Sequence, residues 1–156
     1  MKEAGLTHGG FYAHFPSREA MLAAAADHAG AQAVAMTSRV ASGAPPGDAL
    51  STMISAYLSK AHIENIENGC PIAALGSEMP RQTPEVRAAA TRRIKEMIDV
   101  VARQMSDWGQ ASAHERALVT VSAMVGTVLL ARAVDDAKLS DALLRACEQH
   151  FAAGLQ

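Results

Sequence analysis

The residues best suited to chemistry in this 156-residue chain lie close together, in Gly5–Leu22, which reads GLTHGGFYAHFPSREAML. Gly5 can stop a preceding helix, and Thr7 can cap a short one from His8 to about His14. Pro16 ends that element and Ser17 caps the next. This is the punctuation of a helix-turn-helix unit. The short helix contains Gly9 and Gly10, each costing about 1 kcal/mol of helix propensity relative to Ala. Such a cost fits a face that must lie close to a groove. His8 and Tyr12 are four apart and share a face away from Phe11 and Phe15. Imidazole and hydroxyl groups of this kind can donate to phosphates or base edges. Ser17 and Arg18 would present free backbone amides and a guanidinium to a phosphate. On spacing alone, the same segment serves equally well as a helical corner packed by its aromatics.

Catalytic signals are absent from the sequence. No GxSxG elbow, P-loop, GxGxxG or HExxH occurs. His62 and Glu64 are two apart, point to different helix faces and make no metal pair. The expectation is a non-enzyme without cofactor or metal. The two cysteines, Cys70 and Cys147, form no CxxC or Cys/His cluster. They rule out a disulfide scaffold and fit a reduced, cytoplasmic setting. Cys70, just before Pro71, is either a small buried hydrophobe or an electrophile sensor, depending on thiol pKa. With 14 basic against 16 acidic residues the net charge is −2. A general nucleic-acid coat is therefore excluded, and any DNA contact must be a local patch. Lys2 and Arg18 against Glu3 make the first 18 residues slightly basic. A second basic stretch, 81–103, carries six basic and three acidic residues. It reads as a solvated helix face or as a second nucleic-acid patch.

The elements that must position these residues are helices. The chain is 49% hydrophobic but only 4% aromatic, with 33 Ala and 8 Met. Small and unbranched apolar side chains favour helix, and the residues that favour strands are scarce. The fold class is all-α, in a length that suits one main core. Ser17 opens a helix to about Val40 with a stripe of Met21, Ala24, Ala25, His28, Ala31, Val34 and Ala35. Ala41–Gly47 is a loop. Asp48 opens a helix to about Ile66, with Leu50, Met53, Ile54, Tyr57, Leu58 and Ala61 on one face. A short piece over 72–78 closes at Pro80. Thr83-Pro84-Glu85 starts a helix to Gly109 carrying Val86, Ala90, Ile94, Met97, Ile98, Val101, Met105 and Trp108. Ser112–Glu115 has capping-box spacing and opens an apolar helix to about Val134. Ser140 caps a last helix to Ala153.

Two binding surfaces follow from these helices. The uncharged run Ala117–Ala131 covers 15 residues, short of the about 20 that span a bilayer, so no membrane is expected. It is apolar on almost every face and must be covered all round. A second copy can supply part of that cover, giving a homodimer through helices of about 113–134 and 140–153. Met53, Tyr57, Met97, Val101 and Met124 fall on the inner faces of three successive helices. They either fill the core or line a pocket for a small apolar effector, with Tyr57 as a polar handle.

The residues Ala4-Gly5-Leu6-Thr7, Gly10-Phe11-Tyr12-Ala13-His14-Phe15 and Ser17-Arg18-Glu19-Ala20-Met21-Leu22 closely resemble the DNA-binding domain of the tetracycline-repressor (TetR) family of transcription regulators. Gly69-Cys70-Pro71-Ile72-Ala73-Ala74-Leu75-Gly76 is similar to an AcrR-type branch. The resemblance implies a TetR-like helical bundle, with a partial helix-turn-helix over 1–28 and a ligand-binding and dimerisation domain over 29–156. It implies a homodimeric repressor of operator DNA, released by a small effector that shifts the spacing of the two DNA-binding heads. It further implies that the helix Thr7–His14 enters the major groove. Thr7, Gly9, Tyr12 and His14 then contact DNA, Arg18 contacts phosphate, and His8 joins them by its place beside Tyr12. Family members begin with a full helix and most of a second before this point, whereas only residues 1–4 stand here. The alternative reading is a dimeric small-molecule-binding or interaction module without competent DNA binding. Weak or absent operator binding by this 156-residue form is the expectation, because a helix of about eight residues is marginal without packing partners. A mobility shift at controlled salt checks it, and tight sequence-specific binding overturns it.

Overall fold

The structure, a computed structural model, describes residues 14–67 and 69–154, and their regular structure is entirely helical. In chain order the helices are α1 (Arg18–Gly43), α2 (Ala49–Tyr57), α3 (Lys60–Glu64), α4 (Pro71–Leu75), a 3₁₀ segment (Gly76–Arg81), α5 (Pro84–Ala102), α6 (Ala111–Ala133) and α7 (Ala137–Gly154). The principal layers are α1 on α5, α5 on α6, and α6 on α7. The core between them is filled by Leu50, Met53, Ile54, Met97, Ile98, Val101, Met124 and Val128, all buried. Each such side chain contributes about 1.5–3 kcal/mol on leaving water.

Local chemistry sets the ends of the helices. The Ser17 hydroxyl accepts from the Ala20 amide at 3.0 Å and starts α1, and Glu19 sits against the positive end of its dipole. α1 then runs unbroken through residues 28–29. Its buried side differs from the expected stripe. Ala24, Ala25, His28 and Ala35 are exposed, whereas Gly30 is buried and Ala33, Val34, Val40 and Ala41 pack towards the core. In an alanine-rich helix one face is hardly more apolar than the next, so close approach to a neighbour decides the orientation.

Three boundaries also differ from expectation. The helix from Asp48 breaks after Tyr57, because the Ser59 hydroxyl caps a new turn by accepting from the His62 amide at 3.2 Å. The helix expected to reach Gly109 stops at Ala102 and continues as tight turns, with Met105 N–H on Ala102 O and Trp108 N–H on Met105 O. Asp107 in those turns is held by the Ser112 hydroxyl at 2.5 Å and by Arg116, both from α6. Ser112 is thereby diverted from the expected capping box, and Trp108 is left 55% exposed. Gly109, at φ 99°, makes the final reversal into α6. Lastly, α7 starts three residues before Ser140. The Asp136 carboxylate accepts from the Lys138 and Leu139 amides at 2.8 and 3.2 Å, and Ser140 instead donates to Ala131 O at 2.9 Å.

α6 has the length and composition of a membrane-crossing helix. Here it is a core helix, with Ala113, Ala117, Thr120, Val121, Met124, Val128 and Ala131 buried within this one chain.

The most extensive contact, α1 on α5, is organised around Gly30. A Cβ there would lie 2.6 Å from Cγ and 2.7 Å from Cβ of Arg93. The Arg93 stem therefore lies flat on the Gly30 backbone. Its head reaches Asp27, with Nε at 3.0 Å from Oδ1 and Nη2 at 2.6 Å from Oδ2. Arg92 adds a contact to Oδ1 at 2.5 Å, and Glu96 holds Arg93 Nη1 at 2.7 Å. The bonds from Arg93, then Arg92, hold the Asp27 carboxyl at about 2. Two cations of the basic stretch 81–103 are thus committed to α1. Gly30→Ala is expected to lower stability by about 1 kcal/mol, and at most about 2 kcal/mol, since overpacking costs about 1–3 kcal/mol against a propensity gain of about 1. Chemical denaturation checks this, and a stabilised variant would refute the close approach.

Candidate ligand site

Next to the α1–α5 contact the helices separate and enclose a cavity of about 390 Å³. α1 supplies Ala33, Met36, Thr37 and Val40, whose steps of three, one and three residues put them on one face of the helix. α2 supplies Met53, Ala56 and Tyr57, and Met97 of α5 forms part of the floor. Ser59, His62, Gly69 and Cys70 close the end beyond the α2–α3 break. Met36 is 56% exposed and marks the open side.

The polar end is organised by His62. Its Nδ1 donates to Tyr57 O at 2.6 Å, at the point where the break leaves that carbonyl without a helical partner. Its Nε2 accepts from the Cys70 amide at 3.0 Å. These two bonds specify the neutral ring with the proton on Nδ1. Burial pushes the His62 pKa below the ordinary 6.5, against the opposing effect of the Tyr57 carbonyl, and Arg132 lowers it further. The Tyr57 ring meets the imidazole edge-on, with centroids 4.6 Å apart.

Gly69 makes this arrangement sterically possible. A Cβ there would stand 2.8 Å from Arg132 Nη2, 2.8 Å from Asn65 O and 3.0 Å from His62 Nε2. Arg132 reaches across from α6 to bind His62 O at 2.6 Å and Ile63 O at 3.2 Å. It satisfies carbonyls at the end of α3 and ties the pocket end to α6. The Tyr57 hydroxyl is buried and has no hydrogen-bond partner. Burial, and then the adjacent Cys70, push its pKa far above the tyrosine range, so it stays protonated.

Of the residues expected to bind a ligand, Met53, Tyr57 and Met97 meet at this cavity. Val101 and Met124, 1% and 2% exposed, lie in the solid core away from it. Met36, Thr37, Val40, His62 and Cys70 were not expected at a ligand site. The signal for His62 was its place five residues after Tyr57 across a Ser, which a continuous helix conceals. Among the residues expected at DNA, His14 and Arg18 are exposed, while Thr7, His8, Gly9 and Tyr12 lie outside the described residues. A second hollow, about 580 Å³, lies beside Leu50, Met105, Val119 and Phe151. It opens onto the α6 surface at Val119, which is 63% exposed, and has no orphaned buried polar atom among the described residues of its wall.

Comparison with known proteins places this geometry. Residues 46–150 match the C-terminal domain of LmrA/YxaF-like transcriptional regulators, a TetR C-terminal domain class. Two HTH-type transcriptional regulators of Mycobacterium tuberculosis, MT0206 of strain CDC 1551 and Rv0196 of strain H37Rv, are each 31% identical over 140 residues. Each match covers 85% of this chain and 71% of the relative.

Because His62 is held neutral, the unfolded chain binds more protons than the native one just below pH 6.5, and acidification through that range removes stability. The melting temperature of the wild type should therefore fall more steeply from pH 7.5 to 5.5 than that of His62→Gln. Parallel pH profiles would exclude the His62 contribution.

Proposed function

The chain belongs to the TetR family of transcriptional regulators, and on that premise we propose that it is a ligand-responsive repressor that binds operator DNA as a homodimer. The observation that carries this reading is the composition of the cavity wall. Four of its residues are on α1, the helix that leaves the segment Gly5–Leu22. In this reading, a molecule between α1 and α5 tilts α1 about the close contact at Gly30 and Asp27. The tilt changes the spacing of two DNA-reading heads, and the effector acts through its different affinity for the two spacings. In the same reading Thr7, His8, Gly9, Tyr12 and His14 contact DNA, and Arg18 takes a phosphate beside the start of α1. The protein works in the cytoplasm as a regulator without catalytic chemistry.

The dimer is formed by α6 and α7. Leu118, Val119, Leu129 and Leu130 on α6 are 42%, 63%, 37% and 50% exposed, and Leu139 on α7 is 46% exposed. The four on α6 lie opposite its buried face. Gly126 between them leaves open space where a side chain would begin, with nothing within 4 Å of a Cβ placed there. A second copy applied across a two-fold axis covers this surface as a four-helix bundle. Sedimentation at micromolar concentration should give a dimer for the wild type and a monomer of unchanged helicity for Val119→Glu with Leu130→Glu. For DNA, selection from a random duplex library should enrich an inverted repeat, as two-fold symmetry demands. A monomeric wild type, or a library without enrichment when the protein is shown to be folded, would contradict the proposal.

A further inference from the structure

We propose that the cavity takes an uncharged, largely aliphatic molecule carrying one hydrogen-bond acceptor, such as a ketone carbonyl, and that Tyr57 is the residue that selects for it. This rests on the ligand-site reading above and names the class of ligand.

The cavity volume, about 390 Å³, falls within the roughly 300–1,000 Å³ of small-molecule sites. Its wall is mostly aliphatic and thioether surface, and none of its described residues is Asp, Glu, Lys or Arg. The polar groups in it are almost all committed. Thr37 Oγ1 donates to Ala33 O at 2.9 Å. Ser59 Oγ accepts from the His62 amide, and both ring nitrogens of His62 are occupied. The Tyr57 hydroxyl stands apart: it is buried beside the Cys70 thiol, a weak acceptor, and has no oxygen or nitrogen partner. A buried phenolic O–H without an acceptor is a standing penalty that a ligand oxygen removes.

Charge on the ligand is disfavoured for a separate reason. Arg132 stands behind His62 and Gly69, outside the lining: Nε and Nη2 are on backbone carbonyls, and Nη1, buried without a partner, is not part of the cavity wall. A carboxylate drawn into the cavity would give up its water and find no cation at the wall. An ammonium would fare no better. An aliphatic ketone loses little on desolvation and regains its one hydrogen bond at Tyr57.

The test uses the whole chain, diphenylhexatriene as an apolar fluorescent reporter, and three competitors of equal chain length: 2-undecanone, undecanoate and undecylammonium. Tyr57→Phe removes only the hydroxyl, and its fold is checked by circular dichroism. 2-Undecanone should displace the reporter at about tenfold lower concentration than either charged competitor. Tyr57→Phe should weaken the ketone roughly fivefold, the worth of one net hydrogen bond, and leave the reporter's own affinity unchanged. Undecanoate or undecylammonium binding as tightly as the ketone would overturn the ligand class, as would a ketone affinity indifferent to Tyr57→Phe. The ligand-site reading would survive either result. If the reporter and all three competitors fail to bind and leave the melting temperature unchanged, both fall together.

Discussion

At Gly30 the backbone of α1 comes so close to α5 that the Arg93 stem occupies the space of a side chain, and most of the architecture depends on that approach. It brings Asp27 within reach of two guanidinium groups and fixes which face of an alanine-rich helix turns inward. Further along, Met36 and Val40 of α1, Met53 of α2 and Met97 of α5 line the space where the helices diverge. Close packing at one end and divergence at the other leave a cavity between them.

The closed end of the cavity has a different origin. Ser59 competes with the helix for backbone hydrogen bonds, so α2 ends and α3 begins. That break leaves Tyr57 O to the imidazole of His62, whose other nitrogen holds Cys70 N–H. One side chain therefore joins two segments across a loop, and Arg132 secures the same loop to α6. Gly69 is required because three polar atoms already crowd the place its side chain would take. The network leaves the Tyr57 hydroxyl of the wall, and Arg132 Nη1 behind it, without an oxygen or nitrogen partner.

α6 serves two surfaces at once. Its inner side is close-packed with small residues, Ala113, Ala117 and Ala131 among them, which let α5 and α7 approach. Its outer side carries Leu118, Val119 and Leu130 into solvent. A helix apolar all round is stable only if both sides are covered, and this one chain covers the inner side alone.

Much of this was legible in the residues themselves. Helix type followed from the alanine and methionine content, and the starts at Ser17 and Pro84 followed from capping chemistry, because such signals act within one turn of chain. The residues of Gly5–Leu22 carried the resemblance to the family, which their spacing alone left open. What the sequence could not specify was decided by contacts between residues far apart. The inward face of α1 depended on a neighbour's side chain at Gly30, since alanine gives no strong preference. The end of α5 at Ala102 depended on Asp107 being held by Arg116 and Ser112. Likewise, helical periodicity placed Met53, Tyr57, Met97, Val101 and Met124 alike on inner faces. Only the spacing between helices separated three that line a cavity from two packed solid, because periodicity reports direction and never the distance to what lies opposite.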